Sequence, residues 1–149
     1  MRQAADPRVV VVDASVALKW AFNDEEHVAQ ALALRDDFLV RGTLHLAAPT
    51  LFAYELVNGV SSAIRRRRLE RALGSQVLQI MAEMQLDLQL PRLDRVFEIA
   101  LDCGLSAYDS AYVALAEALA ADLWTADRLL FERGREQFPW VKWIGDYPL

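Results

Sequence analysis

The sequence predicts a three-layer α/β/α fold, in which a mostly parallel sheet is covered by helices on both faces. Apolar strand-like runs alternate with segments of helical period along the whole chain. The first run, residues 9–12, consists of four valines, a pattern typical of a strand buried on both faces inside a parallel sheet. No repeat or linker interrupts the alternation, so we expect one domain over residues 1–149, with its core at about 8–148.

Apolar periodicity defines the elements of the first half. The run of valines ends at Asp13, and Pro49 ends a second short apolar run. Thr50 is predicted to cap the next helix, whose apolar stripe ends before a run of arginines. In order, we expect a strand at 9–12, helices at 15–22 and 25–40, a strand at 44–49 and a helix at 52–64.

Turn and cap residues define the second half. Residues 86–90 alternate between apolar and polar side chains before Pro91, which fits the first turn of a helix. Gly104 is expected to end that helix, and Ser106 to begin an alanine-rich one. In order, we expect a helix at 73–84, a strand at 86–90, helices at 93–101 and 106–121, a strand at 123–125, a helix at 127–133 and a strand at 141–144.

Composition limits the classes of function. Sixteen Lys and Arg against twenty-one Asp and Glu give a net charge of −5, the wrong sign for binding nucleic acid through bulk positive charge alone. A single cysteine, Cys103, cannot form an internal disulfide or a zinc cluster, which favours a reducing compartment. The apolar run after Met1 to Arg8 is too short for a leader or a membrane span. We therefore expect a cytoplasmic protein with no membrane contact.

Four acidic residues are not explained by their sequence neighbours. Asp13 follows the first strand and Asp127 follows the strand at 123–125, so both lie where parallel strands end. Glu55 has no Lys or Arg three or four residues away to pair with it. Asp109 begins a helix face that is otherwise apolar. A buried carboxylate in such places needs a partner from elsewhere in the fold.

Each of the four acids also has a purely structural alternative. Asp13 and Asp127 are both in position to cap the helix that follows, and Glu55 fits the polar edge of an amphipathic helix. Asp109 stands three residues after Ser106, the spacing of a capping box. At the level of sequence these alternatives stay open.

Taken together, the four acids predict a metal site. Strands end and helices begin at the same edge of a parallel sheet, so all four carboxylates can reach one place. They would repel one another there unless a cation balanced them, and ligation by oxygen alone selects Mg²⁺ or Mn²⁺. Such a site serves phosphodiester hydrolysis, because the metal orients a water molecule and lowers its pKa.

The sequence offers no rival set of catalytic residues. His27 and His45 are the only histidines, and neither has the partners of a catalytic triad or a metal pair. Ser15 lacks the G-x-S-x-G context of a hydrolase nucleophile, and no glycine-rich phosphate loop is present.

Four short motifs surround the acids in a specific order and spacing. They are Val11-Val12-Asp13-Ala14-Ser15, Pro49-Thr50-Leu51-Phe52-Ala53-Tyr54-Glu55, Tyr108-Asp109-Ser110-Ala111-Tyr112 and Thr125-Ala126-Asp127. Each motif is weak alone, but with all four the chain, from Val9 to Pro148, resembles the PIN-domain ribonucleases. Within that family it is most similar to the VapC-type toxins of bacterial and archaeal toxin–antitoxin pairs.

The resemblance implies a five-stranded sheet and a Mg²⁺- or Mn²⁺-dependent endoribonuclease site. Asp13 and Asp109 would be the principal metal ligands, and Glu55 and Asp127 would complete the catalytic acidic pocket. Ser15 and Thr125 match polar positions that support the pocket by hydrogen bonds.

The resemblance also implies partners. RNA is the expected substrate, a homodimer the expected assembly, and a VapB-like antitoxin the expected inhibitor, with an arginine directed at the carboxylates. The chain has no DNA-binding module, so we expect no direct DNA binding. The run of Arg65, Arg66, Arg67 and Arg68 is the candidate contact for RNA phosphates, although a solvated helix end also explains it.

Two other functions remain open at this stage. A receiver-like signalling domain shares the alternation of strands and helices and an acidic pocket, and Lys142 in the last strand is compatible with it. Such a domain, however, needs an acidic pair after the first strand, where Asp13 is followed by Ala14. The third reading is a PIN-like fold that has lost catalysis and serves only as a binding module.

Overall fold

A five-stranded parallel sheet forms the centre of the fold, as a computed structural model shows for residues 5–149. The strands are β1 (Arg8–Val12), β2 (Leu44–Pro49), β3 (Asp87–Gln89), β4 (Asp122–Thr125) and β5 (Val141–Trp143). Their order in the sheet is β3-β2-β1-β4-β5, and every neighbouring pair is parallel. The predicted α/β class is confirmed. Residues 1–4, part of the segment in which no leader was expected, lie outside the described residues.

Seven helices and one 3-10 turn connect these strands in the part of the chain that the structure describes. They are α1 (Ala14–Leu18), α2 (Val28–Leu39), α3 (Phe52–Arg65), α4 (Arg71–Glu83), α5 (Leu93–Cys103), α6 (Ala107–Leu119), α7 (Arg128–Arg135) and the 3-10 turn Ile144–Asp146. Because crossovers between parallel strands are right-handed, α1–α4 and α5–α7 cover opposite faces of the sheet. Over residues 5–149, no helix is long and apolar enough to cross a membrane.

The chain changes direction across the sheet between β1 and β4. From β1 it proceeds outward through β2 to β3, then crosses back to β4 on the other side of β1. This reversal opens a crevice at the carboxyl ends of the two central strands, where ligands bind in open α/β sheets. The receiver-like reading is wrong, because a receiver sheet has the order 2-1-3-4-5.

The central strands and α6 form the core. Val10, Val11 and Val12 have no exposed surface, as the four-valine pattern predicted, whereas Val9 is 39% exposed at the start of the strand. Residues 110–116 of α6 are all buried, and α6 contacts β1, β2 and β4. The end of β1 and the first turns of α6 are therefore held against each other by the core.

The largest differences from the predicted elements concern the cap of α3 and the bounds of the first two helices. Thr50 does not cap α3, because its amide continues the sheet by donating to Gln89 O at 3.0 Å, and the helix begins two residues later. The predicted helix at 25–40 begins only at Val28, since Glu25 is held by ion pairs and His27 has a left-handed backbone (φ 59°). The helix predicted at 15–22 ends at Leu18.

Candidate active site

Asp13 lies at the end of β1 and is the most buried of the four acids, at 3% exposure. Its side chain forms no capping hydrogen bond to α1, so the alternative that Asp13 serves only as a helix cap is wrong. Its Oδ2 atom accepts hydrogen bonds from Ser15 Oγ at 2.6 Å and from Thr125 Oγ1 at 2.8 Å. Oδ1 takes no part in these two bonds. Asp13 is thus held in one orientation with one oxygen left for a ligand.

The two hydroxyls that bind Asp13 also bind the backbone after β4. Ser15 Oγ accepts from the amide of Ala126 at 2.9 Å, and Thr125 Oγ1 accepts from the amide of Asp127 at 3.0 Å. Each hydroxyl therefore accepts from one side of the crevice and donates to Asp13 on the other. Both hydroxyls bond to Asp13, and the supporting role that the resemblance assigned to these two residues stays a prediction.

Asp127 and Asp109 both take part in helix starts, as their structural alternatives proposed, but to different extents. Oδ1 of Asp127 accepts from the amides of Leu129 and Leu130 at 2.9 and 3.2 Å, so one carboxylate oxygen caps α7. At α6, the amide of Asp109 donates to Ser106 Oγ at 3.1 Å. The reciprocal bond of a capping box, from the Ser106 amide to the Asp109 carboxylate, does not form among residues 5–149. The Asp109 carboxylate thus does not accept from the Ser106 amide, and it contacts Ser106 only through the hydroxyl.

Glu55 lies in the first turn of α3, half-buried, with an unsatisfied oxygen. Its Oε1 atom is buried and has no hydrogen-bond partner within residues 5–149. The hydroxyl of Tyr112, a fully buried residue of α6, accepts from the amide of Ala14 at 3.4 Å and interacts with the Glu55 carboxyl. Tyr112 thereby connects α6, α3 and the start of α1. Sequence reasoning treated it only as part of an apolar face.

Burial and mutual repulsion raise the pKa values of Asp13, Glu55 and Asp109. Desolvation is the main cause for all three shifts: it raises the pKa of Asp13, that of Glu55 to about 7 and that of Asp109 to about 6. The charge of Asp13 adds to the shift at Glu55, and the charge of Asp127 adds to that at Asp109. The four predicted acids thus lie close enough for their charges to interact. We call Asp13, Glu55, Asp109 and Asp127 the acidic pocket.

The pocket fits a hard divalent cation in its chemistry but is not a preformed coordination sphere. Its donors are carboxylate oxygens, one of them the unsatisfied Oε1 of Glu55, and within residues 5–149 none of the four acids pairs with Lys or Arg. In that same part of the chain, no three His, Cys, Asp or Glu side chains converge closely enough to hold a metal ion. A cation bound directly to three of these side chains would require them to move, whereas one bound to one or two carboxylates and to water would not.

The structure does not bring the arginine run into this pocket. Arg65 ends α3 ten residues after Glu55, about 15 Å along the helix axis. Arg65, Arg66 and Arg67 are exposed, whereas Arg68 is bound to Asp24 at 3.0 Å and to Glu25 at 3.4 Å, with its guanidinium over Phe22. The predicted contact of this run with RNA stays a prediction, and Arg68 is already committed to partners within the chain.

Comparisons with known proteins agree with the geometry. Residues 10–136 match the family model described as "PIN domain". The chain is 37% identical over 133 residues to "Ribonuclease VapC9" of Mycobacterium tuberculosis, covering 88% of this chain and 95% of that one. It is 35% identical over 128 residues to "Ribonuclease VapC3" of Pyrobaculum aerophilum, covering 83% and 93%. The crystal structure of PAE2754 from Pyrobaculum aerophilum superposes with a TM-score of 0.65 at 27% identity, covering 89% and 83%.

We predict that the metal-free protein loses stability as pH rises from 5.0 to 7.5. A carboxyl whose pKa is raised by folding binds a proton more tightly in the folded state, so its stabilising effect is present at low pH and disappears as pH passes the folded pKa. With solvent screening included, Glu55 and Asp109 together lower the unfolding free energy by about 3 kcal/mol over this window. Urea denaturation in excess chelator at the two pH values measures it.

The control for this prediction is a pair of Glu→Gln variants. Glu55→Gln should remove about two thirds of the pH dependence, whereas Glu136→Gln at an exposed position should leave it unchanged. A wild-type stability that is flat or increases over this pH range would contradict the shared pocket.

We predict that Thr125→Val lowers the unfolding free energy by about 2 kcal/mol at neutral pH. The change preserves shape but removes the donor to Asp13 from a buried position and leaves the partly buried amide of Asp127 without its acceptor. Thr125→Ser should lose less, because it keeps the hydroxyl. Thr50→Val, at an exposed threonine, is the control, and equal urea midpoints for the two Val variants would refute the role of the Thr125 hydroxyl.

Proposed function

The chain belongs to the PIN domain family, and from that premise we propose that it is a VapC-type, Mg²⁺- or Mn²⁺-dependent endoribonuclease controlled by a cognate antitoxin. The observation that carries this proposal is the pocket of four carboxylates at the crevice between β1 and β4. Burial and repulsion raise the pKa values of Asp13, Glu55 and Asp109, and no Lys or Arg from residue 5 onward forms an ion pair with the four acids. A cation and a phosphodiester are the ligands that such a pocket accommodates.

The residues of the chain have separate roles in this proposal. Asp13, with its orientation fixed by Ser15 and Thr125, offers Oδ1 as a principal ligand. Asp109 is the second principal ligand, because its carboxylate lies close enough to Asp13 and Asp127 for their charges to interact. Glu55 and Asp127 complete the ligand set, Glu55 through its unsatisfied Oε1 and Asp127 through the oxygen that does not cap α7.

The side chains would bind the cation, fix its position and keep bulk water from the buried side of the pocket. When bound, the divalent ion supplies an oriented water of lowered pKa and balances charge on the scissile phosphate. Tyr112 positions the Glu55 carboxyl against the start of α1.

The uncompensated charge of the pocket also supports the proposed mode of inhibition. An arginine of a VapB-like antitoxin would find carboxylate oxygens without a cationic partner from this chain, and its planar guanidinium can bind two of them. The expected cytoplasmic location rests on the single Cys103 and stays a prediction.

A homodimer is supported by an apolar stripe on α5. Leu93, Phe97 and Leu101 recur every four residues on one helix face, and their exposures are 69%, 65% and 68%. Leu90, just before the helix, is 71% exposed. Four large apolar side chains in one stripe are typical of a subunit interface, and a two-fold axis would pair the stripe with itself.

We predict that Asp13→Asn and Asp109→Asn each reduce Mn²⁺-stimulated cleavage of RNA at least about 100-fold while leaving the circular dichroism spectrum unchanged, because each removes a principal ligand. Asp122→Asn is the matched control, since Asp122 begins β4 at the opposite edge of the sheet. A covalently closed circular RNA serves as substrate, because only an endonuclease opens it. Cleavage that persists in excess chelator, or in both variants, would exclude the metal site; inactivity of the wild type with Mn²⁺ would favour a binding module.

We predict that Phe97→Glu converts a dimer into a monomer, because it places a charge in the centre of the α5 stripe. Light scattering after size exclusion gives the molar mass directly. Ile80→Glu alters a similarly exposed apolar side chain, 61% exposed on α4, and should leave the dimer intact. A monomeric wild type, or a Phe97→Glu variant of unchanged mass, would contradict this interface.

A further inference from the structure

Trp143 lies beside the acidic pocket, at the carboxyl end of the neighbouring strand. In the parallel register of β4 and β5 it is the partner of Thr125, whose hydroxyl binds Asp13. Neighbouring strands are about 4.8 Å apart, so the indole begins one strand away from the pocket. Gly145 allows this ring to pack on the backbone, because a Cβ there would lie 2.7 Å from Trp143 Nε1.

Aromatic rings and guanidinium groups stack around Trp143. The guanidinium carbon of Arg128 lies 4.4 Å from the centre of the Trp143 ring, and that of Arg135 lies 4.8 Å from the centre of Phe131. The rings of Phe131 and Trp143 are 5.7 Å apart. We call Arg128, Phe131, Arg135 and Trp143 the stacking cluster; its last three members help to line a cleft of about 330 Å³ together with Lys142.

The cations of this cluster are weakly neutralised. The closest carboxylate to Arg128 is Glu132 at 3.9 Å, with both side chains more than half exposed. Arg135 and Lys142 form no ion pair with any residue between 5 and 149, and Asp146 is the only acidic residue that lines the cleft in that range. Arg68 and Arg95 differ, since each binds two carboxylates.

Arg128 immediately follows Asp127 in sequence, so the cluster begins where the acidic pocket ends. From Arg128 to Arg135 the helix α7 advances about 10 Å, the length of about three nucleotides at a stacked rise of 3.4 Å. Phe131 and Trp143 are partly exposed. Accessible rings interleaved with arginines are the means by which proteins bind unpaired bases and their phosphates together. Double-stranded RNA offers no free base faces to such a surface.

We propose that the stacking cluster binds the unpaired nucleotides of the RNA that flank the cleaved phosphodiester. Trp143 and Phe131 stack on the bases, and Arg128 and Arg135 bind the phosphates. This inference rests on the proposed ribonuclease function and names where its substrate is held. It places the main RNA contact at α7 and β5, beside the pocket, instead of at the arginine run some 15 Å along α3 from Glu55.

The test measures binding without cleavage. The full-length chain, in excess chelator, is titrated against a fluorescein-labelled, unstructured 12-nucleotide RNA, with anisotropy as the readout and a gel confirming that the RNA stays intact. The double variant Arg128→Gln/Arg135→Gln should bind at least about fivefold more weakly at 100 mM salt. The slope of log affinity against log salt should fall by about 1.4, or 0.7 for each lost phosphate contact.

The control removes the same charge elsewhere. Arg65→Gln/Arg66→Gln, two exposed arginines at the end of α3, should change affinity less than twofold. Trp143→Leu should weaken binding about fivefold or more and leave the salt slope unchanged, because stacking is not ionic. All the substituted residues are exposed or partly exposed, and unchanged melting temperatures confirm that the variants fold. If the Trp143→Leu variant melts at a lower temperature, Trp143→Phe replaces it and should retain binding.

The outcomes separate this inference from the proposed function. Three outcomes would each overturn the cluster as the RNA site. The Arg128→Gln/Arg135→Gln variant could bind the RNA as tightly as the wild type, the Arg65→Gln/Arg66→Gln variant could lose more affinity, or the wild-type protein could fail to bind the 12-mer. A duplex of the same sequence that competes equally well would overturn the preference for unpaired nucleotides. The ribonuclease proposal is judged separately, by Mn²⁺-stimulated cleavage of circular RNA.

Discussion

The hydrogen bonds that hold the Asp13 carboxylate are the constraint on which the site depends. Two hydroxyls, from Ser15 and Thr125, donate to the same oxygen, and each accepts from the backbone after β4. These bonds connect the ends of the two central strands at the point where the chain reverses its direction across the sheet. A carboxylate buried to 3% exposure is tolerated because the fold supplies its donors there.

The rest of the pocket is built around that fixed charge. Asp109, Glu55 and Asp127 each begin a helix near the same edge, and the sheet brings these helix starts together. The fold satisfies Asp13 with hydrogen bonds but leaves the buried Oε1 of Glu55 without a partner within residues 5–149. A buried carboxyl oxygen without a partner suits a pocket that receives an external cation. When no cation is bound, the same pocket suits a cationic side chain of an inhibitor.

Sequence reasoning found the parts of this arrangement that depend on position in the chain. The four valines predicted a buried central strand, and the acids after strands and at helix starts predicted a shared edge. The order of the strands was not derivable from local patterns, and it excluded the receiver-like reading. Tyr112 was missed because an aromatic residue on an apolar helix face predicts core packing, and only the tertiary fold brings its hydroxyl to Glu55 and Ala14. The position of Trp143 beside Thr125 likewise follows from the β4–β5 register, which the sequence does not contain.

The charge of −5 also has a more local meaning than composition indicated. Four of the excess negative charges belong to the pocket, while Arg128, Arg135 and Lys142 lie beside it. The most direct test of the central claim is the anomalous difference density of crystals soaked in Mn²⁺. A peak in contact with oxygens of Asp13 and Asp109, lost in the Asp109→Asn variant, is the result that we predict. Well-ordered crystals at saturating Mn²⁺ with no peak in this pocket would contradict the assignment of a metal-dependent nuclease site.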